Sequence, residues 1–208
     1  MRPGTSAEEP ERTFIETARR AQIVTAAIDT IADGGYAGAS FARIAQRARV
    51  SRGLISYHFA DKDDLMKEVV HQAAEEAKAY MQPRILAESA GPAMLRAYIG
   101  SNLAFMRDHR NNVIAMIEIA RSADGQRIFY RDTDVIDAVG ALEHLLSAYQ
   151  AAGQFRADFD PHVMAIAVRA TIEAASSRLA LDAEFDIDNY AQEIATTFDL
   201  ATRIEGAS

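Results

Sequence analysis

Between Thr13 and Lys62, residues that stop and start helices divide the sequence into one amphipathic helix followed by short ones. Thr13 to Asp33 carries apolar residues at Phe14, Ala18, Ile23, Ala27, Ile28 and Ile31, the spacing of an amphipathic helix. Gly34-Gly35 then supplies a C-terminal stop, because glycine adopts the left-handed backbone that ends helices. Ser40 stands ready to cap a helix over 41–48 whose inner side is Phe41, Ile44, Ala45 and Ala48, and Ser51 to cap another through Leu54, Ile55 and His58. Two short helices about three residues apart, the second opened by serine, are the layout of a helix-turn-helix. Asp61 or Asp63 can cap the helix that follows, which carries Leu65, Met66, Val69 and Val70.

Beyond that helix the punctuation thins to Pro83, Gly91-Pro92, Asp124-Gly125, residues 153–161 and residues 182–186. Helices are predicted between these marks at 92–109, 111–122, 126–152, 161–181 and 187–203. With only 11 Gly and 5 Pro in 208 residues, and 49% of residues hydrophobic, propensity favours an all-α chain with a substantial core. The organisation expected is a flexible tail over 1–12, a helix-turn-helix DNA-binding domain over 13–62, and a helical ligand-sensing and dimerisation domain over 63–208.

Net charge is −8, which at first opposes a nucleic-acid partner. The average conceals a split. From Ala39 to Lys62 the cations are Arg43, Arg47, Arg49, Arg52 and Lys62, against Asp61 alone. A small basic surface on an acidic body suits docking to a duplex, because the body is repelled and the basic end is drawn in. The chain has no cysteine, which excludes disulfides, thiolate metal sites and a cysteine nucleophile. Neither a signal-peptide core nor an apolar run of about 18 residues is present, so a cytoplasmic location is expected and a membrane role is not.

From Ile23-Val24-Thr25-Ala26-Ala27-Ile28 through Gly35-Tyr36, Ser40, Ile44-Ala45, Val50-Ser51-Arg52-Gly53, Ile55-Ser56-Tyr57-His58-Phe59 and Lys62-Asp63-Asp64-Leu65, the sequence resembles the TetR family of transcriptional regulators. The resemblance spans about residues 13 to 70, with its anchors in order and without insertion. It departs at Arg49, where the family usually has glycine in the turn, and at Ser56, where tyrosine is common. The resemblance implies a homodimeric repressor that a small organic ligand releases from a palindromic operator, with double-stranded DNA as partner and no cofactor. It also implies that Tyr57, His58 and Lys62 grip phosphates.

The residues themselves support the same roles. A helix led by Ser51 fits the major groove, with its N-terminal residues foremost. Arg52 is the candidate base reader, since its guanidinium fork matches the O6/N7 pair of guanine, and Gly53 lets the backbone come close. Ser40 and Ser51, at helix N-termini, offer hydroxyl and backbone donors to phosphate. Arg43 and Ser56 complete the candidate DNA-binding set. The competing readings are solvated surface for Arg52, a helix-packing histidine for His58, and plain solubility for Arg43 and Arg47.

The remaining length needs a purpose. Along 92–109, Met94, Leu95, Tyr98, Ile99, Asn102, Phe105 and Met106 form a stripe with a polar residue inside it. Met116, Phe129, Tyr130 and Tyr149 add adaptable or aromatic surface, and such linings suit an organic ligand. The candidate ligand residues are Tyr98, Asn102, Phe105, Met106, Met116, Tyr149 and Glu173, with Glu118 as a further inward acid; plain core is the alternative for each. Arg169 and Glu173, four apart, also read as an ordinary helix pair. Ile187, Tyr190, Ile194 and Phe198 repeat at three and four, and Ala167, Ala170, Thr171 and Ala174 permit close approach of backbones. Together they form a candidate dimer interface, with burial inside the chain as the alternative. An enzyme or metal carrier is the main competing class, because Glu68-x-x-His71 has di-iron spacing, but only one copy occurs and no catalytic motif is present. A helical adaptor that keeps the shape without reading DNA is the other. Neither enzymatic activity nor a metal is expected.

Overall fold

The computed structural model describes residues 8–131, 137–182 and 184–204, and among these every regular element is a helix. The chain divides into two compact units, one of residues 1–72 and 115–133, the other of residues 73–114 and 134–208.

The first unit is built from α1 (Glu8–Gly38), α2 (Phe41–Ala48), α3 (Arg52–His58), the start of α4 (Lys62–Leu86), the end of α6 (Arg110–Arg121) and α7 (Ala123–Arg131). The glycine stop acts where the sequence places it: Gly35 leaves helical geometry at φ 69, ψ 168, and the chain turns through buried Tyr36 to Ala39. The core joins Ile23, Val24, Ala27, Ile28 and Ile31 of α1 to Ile44 and Ala48 of α2, Ile55 and Phe59 around α3, and Leu65, Met66, Val69 and Val70 of α4. Ala18, expected on the inner face of α1, is exposed, so the buried stripe starts at Ile23; the Phe14 side chain lies outside the described residues. Asp61 is the cap of α4, its Oδ1 accepting from the Asp64 N–H at 2.9 Å.

The second unit comprises the rest of α4, the start of α6, α5 (Gly91–Asp108), α8 (Ala138–Ala151), α9 (Pro161–Leu181) and α10 (Ile187–Thr202). Its core combines Leu95, Ile99 and Leu103 of α5 with Leu142 and Leu146 of α8, Val168 and Ile172 of α9, and Phe198 of α10. Asp137, Asp160 and Asp186 cap the last three helices with their side chains. Gly91 is needed for packing, since a Cβ there would come within 3.0 Å of Tyr149 and 3.1 Å of the Phe155 ring.

Three boundaries differ from the sequence reading. The single helix expected over 126–152 is two: α7 ends at Arg131 and α8 starts at Ala138, where the Asp137 carboxylate accepts from the Gly140 N–H at 2.8 Å. Asp124-Gly125 is not a break but part of α7, which Ser122 opens by accepting from the Gly125 N–H at 3.0 Å. Gly125 serves close packing instead: a Cβ would lie 2.2 Å from the Ile119 carbonyl oxygen. Pro83 falls in the last turns of α4, which runs on to Leu86.

Candidate DNA-binding surface and sensor core

The helix-turn-helix is set by its ends. Ser40 Oγ accepts from the Arg43 N–H at 3.3 Å and opens α2; Ser51 Oγ accepts from the Leu54 N–H at 3.1 Å and opens α3. Between them Arg49 takes left-handed geometry, φ 54 and ψ 43, so that its N–H reaches Gln46 O at 3.3 Å and that of Val50 reaches Ala45 O at 3.0 Å. This is a Schellman turn, normally made by glycine.

Burial then sorts α3 into two faces. Ile55 and Phe59 are sealed inside, whereas Ser51, Arg52, Gly53, Ser56 and Tyr57 are exposed, Tyr57 at 69%. His58 is half-buried and meets the Tyr57 ring edge-on at 5.1 Å between centroids. Among the described residues no side chain bonds to the Arg52 guanidinium, so its fork is open. Arg43 is exposed with only a long contact of 3.4 Å to Gly38 O, and Arg47 pairs with Asp33.

Two residues that sequence reasoning passed over hold these helices in place. Arg20, on α1, donates to His58 O at 2.9 Å and to Glu68 Oε2 at 2.7 Å, with its guanidinium 4.3 Å above the Phe59 ring. Gln22 donates to Ala48 O at 2.8 Å. Each ties the C-terminal end of a helix of the helix-turn-helix to α1. Both look like solvated helix positions in the sequence, and only the fold brings them to those carbonyls.

Lys62 is half-buried; its Nζ donates to Tyr36 O at 2.8 Å and lies 3.9 Å from the Tyr36 ring centre. Burial lowers its pKa below that of an ordinary lysine, while Asp124 and Asp63 pull the other way; burial likewise raises that of Tyr36. A lysine has three donors, so one bond leaves others for a phosphate. Glu68, half of the di-iron-like motif, is engaged by Arg20, and among the described residues no group of three or more His, Cys, Asp or Glu is placed to hold a metal.

Residues 23–69, the stretch that folds into this capped and two-faced unit, match the bacterial regulatory proteins of the tetR family. Over this domain the chain is similar to the tetR family. The HTH-type transcriptional regulator BetI of Paraburkholderia phymatum is 38% identical over 85 residues, which is 40% of this chain and 43% of BetI. The chain therefore matches less than half the length of that relative. Among solved structures, FadR of Bacillus subtilis in complex with stearoyl-CoA is similar at TM-score 0.73 and 18% identity, covering 90% of this chain and 99% of that one. AibR in complex with isovaleryl coenzyme A and operator DNA is similar at TM-score 0.70 and 20% identity, covering 86% and 97%. At such identities these two likenesses concern the fold alone.

In the second unit, Tyr98, Asn102 and Phe105 are buried on α5, and Met106 and Tyr149 are half-buried against the same core. Asn102 Nδ2 donates to Tyr98 O at 2.8 Å. Phe105 stacks on His109 at 4.4 Å and meets Tyr80 edge-on at 5.6 Å. Glu173 does not join this group: its side chain is 70% exposed, and the inward polar residue of α9 is Arg169, at 19%. Met116 belongs to the first unit, and Glu118 packs there beside Gly35, whose positive φ and missing Cβ leave room for the carboxylate. The Phe129 and Tyr130 side chains lie outside the described residues.

The seam of α10 is turned largely inward. Ile187 and Phe198 are buried in their own core, Tyr190 and Ile194 pack against it, and the Tyr190 hydroxyl donates to Thr171 O at 2.8 Å. Period alone cannot tell an intramolecular seam from an intermolecular one. The outward surface lies instead on α9, where Ala167, Ala170 and Ala174 are exposed beside Val163 and Ile166, at 60% and 46%.

Proposed function

We propose that the chain is a homodimeric repressor that grips a palindromic operator through α3 and leaves it when a small organic ligand binds the second unit. The observation that carries this is the face Ser51, Arg52, Gly53, Ser56, Tyr57: a capped helix end with an open guanidinium, hydroxyls and a phenol pointing outward, on a unit anchored from behind by Arg20 and Gln22. Arg52 reads guanine, Tyr57, Ser40, Ser51 and His58 hold phosphates, and Arg43 and Lys62 add positive charge at the edges. The exposed residues of α9, Val163, Ile166, Ala167, Ala170 and Ala174, form the apolar surface for the second copy. The similarity of residues 23–69 to the tetR family, the transcriptional regulator BetI, AibR bound to operator DNA, and the acyl-CoA held by FadR and AibR all support a ligand-responsive DNA-binding role rather than catalysis.

Selection of bound sequences from random DNA tests the reading. It should return an inverted repeat, and Arg52→Ala should cost about 1–3 kcal/mol on that sequence and far less on one altered at the contacted guanine. No enriched sequence, or equal losses on both duplexes, would overturn respectively operator binding and the role of Arg52.

A further inference from the structure

We propose that the ligand sensed by the second unit carries a carboxylate, and that Arg169 receives it; this rests on the sensor role proposed above. The other inward-reaching arginines among the described residues are closely satisfied. Arg20 has acceptors at 2.7 and 2.9 Å, Arg110 donates to Leu179 O at 2.7 Å, and Arg156 donates to Ala201 O at 2.6 Å and Asp158 at 2.7 Å. Arg169 is different. With its side chain only 19% exposed, it reaches Asn102 Oδ1 at 3.3 Å and Tyr98 Oη at 3.4 Å, both neutral oxygens at the long limit of a hydrogen bond. Its carboxylate partner, Glu173, stands at 3.9 Å and is itself turned to water.

A guanidinium drawn out of water is unfavourable unless an anion meets it, and five N–H donors ask for more than two distant acceptors. No buried side-chain nitrogen or oxygen among the described residues lacks a partner, so the donors that Arg169 leaves unused still touch solvent and an anion can reach them. The chemistry around them suits one oxygen pair and an apolar body. The Tyr98 hydroxyl and the Asn102 amide stand beside the guanidinium, while Val168 and Ile172 on α9 and Met106, one turn beyond Asn102, are apolar. A carboxylate accepts two parallel bonds from arginine, the geometry that holds such a head most firmly.

The test uses full-length protein and a panel of straight-chain, branched and aromatic carboxylates, each paired with its primary alcohol. Calorimetry reads binding, and operator release is read separately. At least one carboxylate should bind with its alcohol at least about tenfold weaker, and Arg169→Met should remove that preference by a similar factor. Arg169→Met should also leave the ligand-free melting temperature unchanged or raised, since an arginine needed only for packing would lower it. Alcohols that bind as well as their acids, a preference that survives Arg169→Met, or a panel without any binder would each overturn the proposal. A neutral compound that binds and releases operator would sink the carboxylate while keeping the sensor. An Arg169-dependent acid that leaves operator binding untouched would do the reverse.

Discussion

Arg49→Gly should stabilise the protein by about 0.5–1 kcal/mol, a gain worked from one backbone position. Arg49 closes α2 in left-handed geometry because the bonds to Gln46 O and from Val50 to Ala45 O require it. A residue with a Cβ held there is disfavoured by roughly 1–2 kcal/mol, whereas glycine is not. The greater freedom of glycine in the unfolded chain offsets about 0.4–1 kcal/mol of this, leaving the net figure. The substitution breaks no contact, as the exposed Arg49 side chain bonds to no described residue. Urea denaturation should give a higher midpoint with an unchanged slope. Arg49→Ala removes the same charge but keeps the Cβ, so its midpoint should not rise. Equal gains from both variants would place the effect in charge repulsion among Arg47, Arg49 and Arg52, and a lower midpoint for Arg49→Gly would refute the strain argument outright.

Arg20→Met should destabilise the first unit by about 1–3 kcal/mol and weaken operator binding, because His58 O and Glu68 lose their donor; an unchanged urea midpoint would mean that the carbonyl at the end of α3 needs no cap. Ile166→Asp together with Ala170→Asp should give monomer in sedimentation while helical content is kept, both sites being exposed; a persisting dimer would move the interface elsewhere. His162 Nδ1 lies 2.7 Å from Glu143 Oε2, and that hydrogen bond first, then the charge of Glu143, raises its pKa from the ordinary value of about 6.5. Asp160 and Asp137 add to the rise while slight desolvation opposes it. The stability this pair contributes is therefore fully present below pH of about 6.5 and is lost as pH rises through the folded value. NMR titration should place the His162 midpoint above 6.5 and Glu143→Gln should return it; a wild-type midpoint at or below 6.5 would contradict the pairing.

Much of the first unit was legible because its signals are local. A serine cap acts on an N–H three residues on, and a glycine stop acts on its own backbone, so Ser40, Ser51 and Gly35 announce their roles within a single turn of chain. Tyr57, two residues from Ile55, faces away from it by register, whereas Arg52, three residues before Ile55, shares its side and is exposed in the first turn of α3. The left-handed turn at Arg49 was signalled only by the resemblance, in which glycine usually holds that position.

Long side chains and repeated faces were not legible in this way. Arg20 and Lys62 carry the same charge in the sequence, yet Arg20 spans 38 residues of chain to meet His58 O, and Lys62 spans 26 to meet Tyr36 O. Such reach depends on where other elements come to rest. Arg169 and Glu173 read as a symmetrical helix pair until packing against α5 leaves one four-fifths buried and the other mostly in water. The period of Ile187, Tyr190, Ile194 and Phe198 determined that α10 would bury one face, but α5 and α9 decided that the face is covered within the chain. Sequence spacing determines which residues share a side of a helix, through interactions a few residues long. What that side meets is decided by packing, which joins residues the chain keeps far apart.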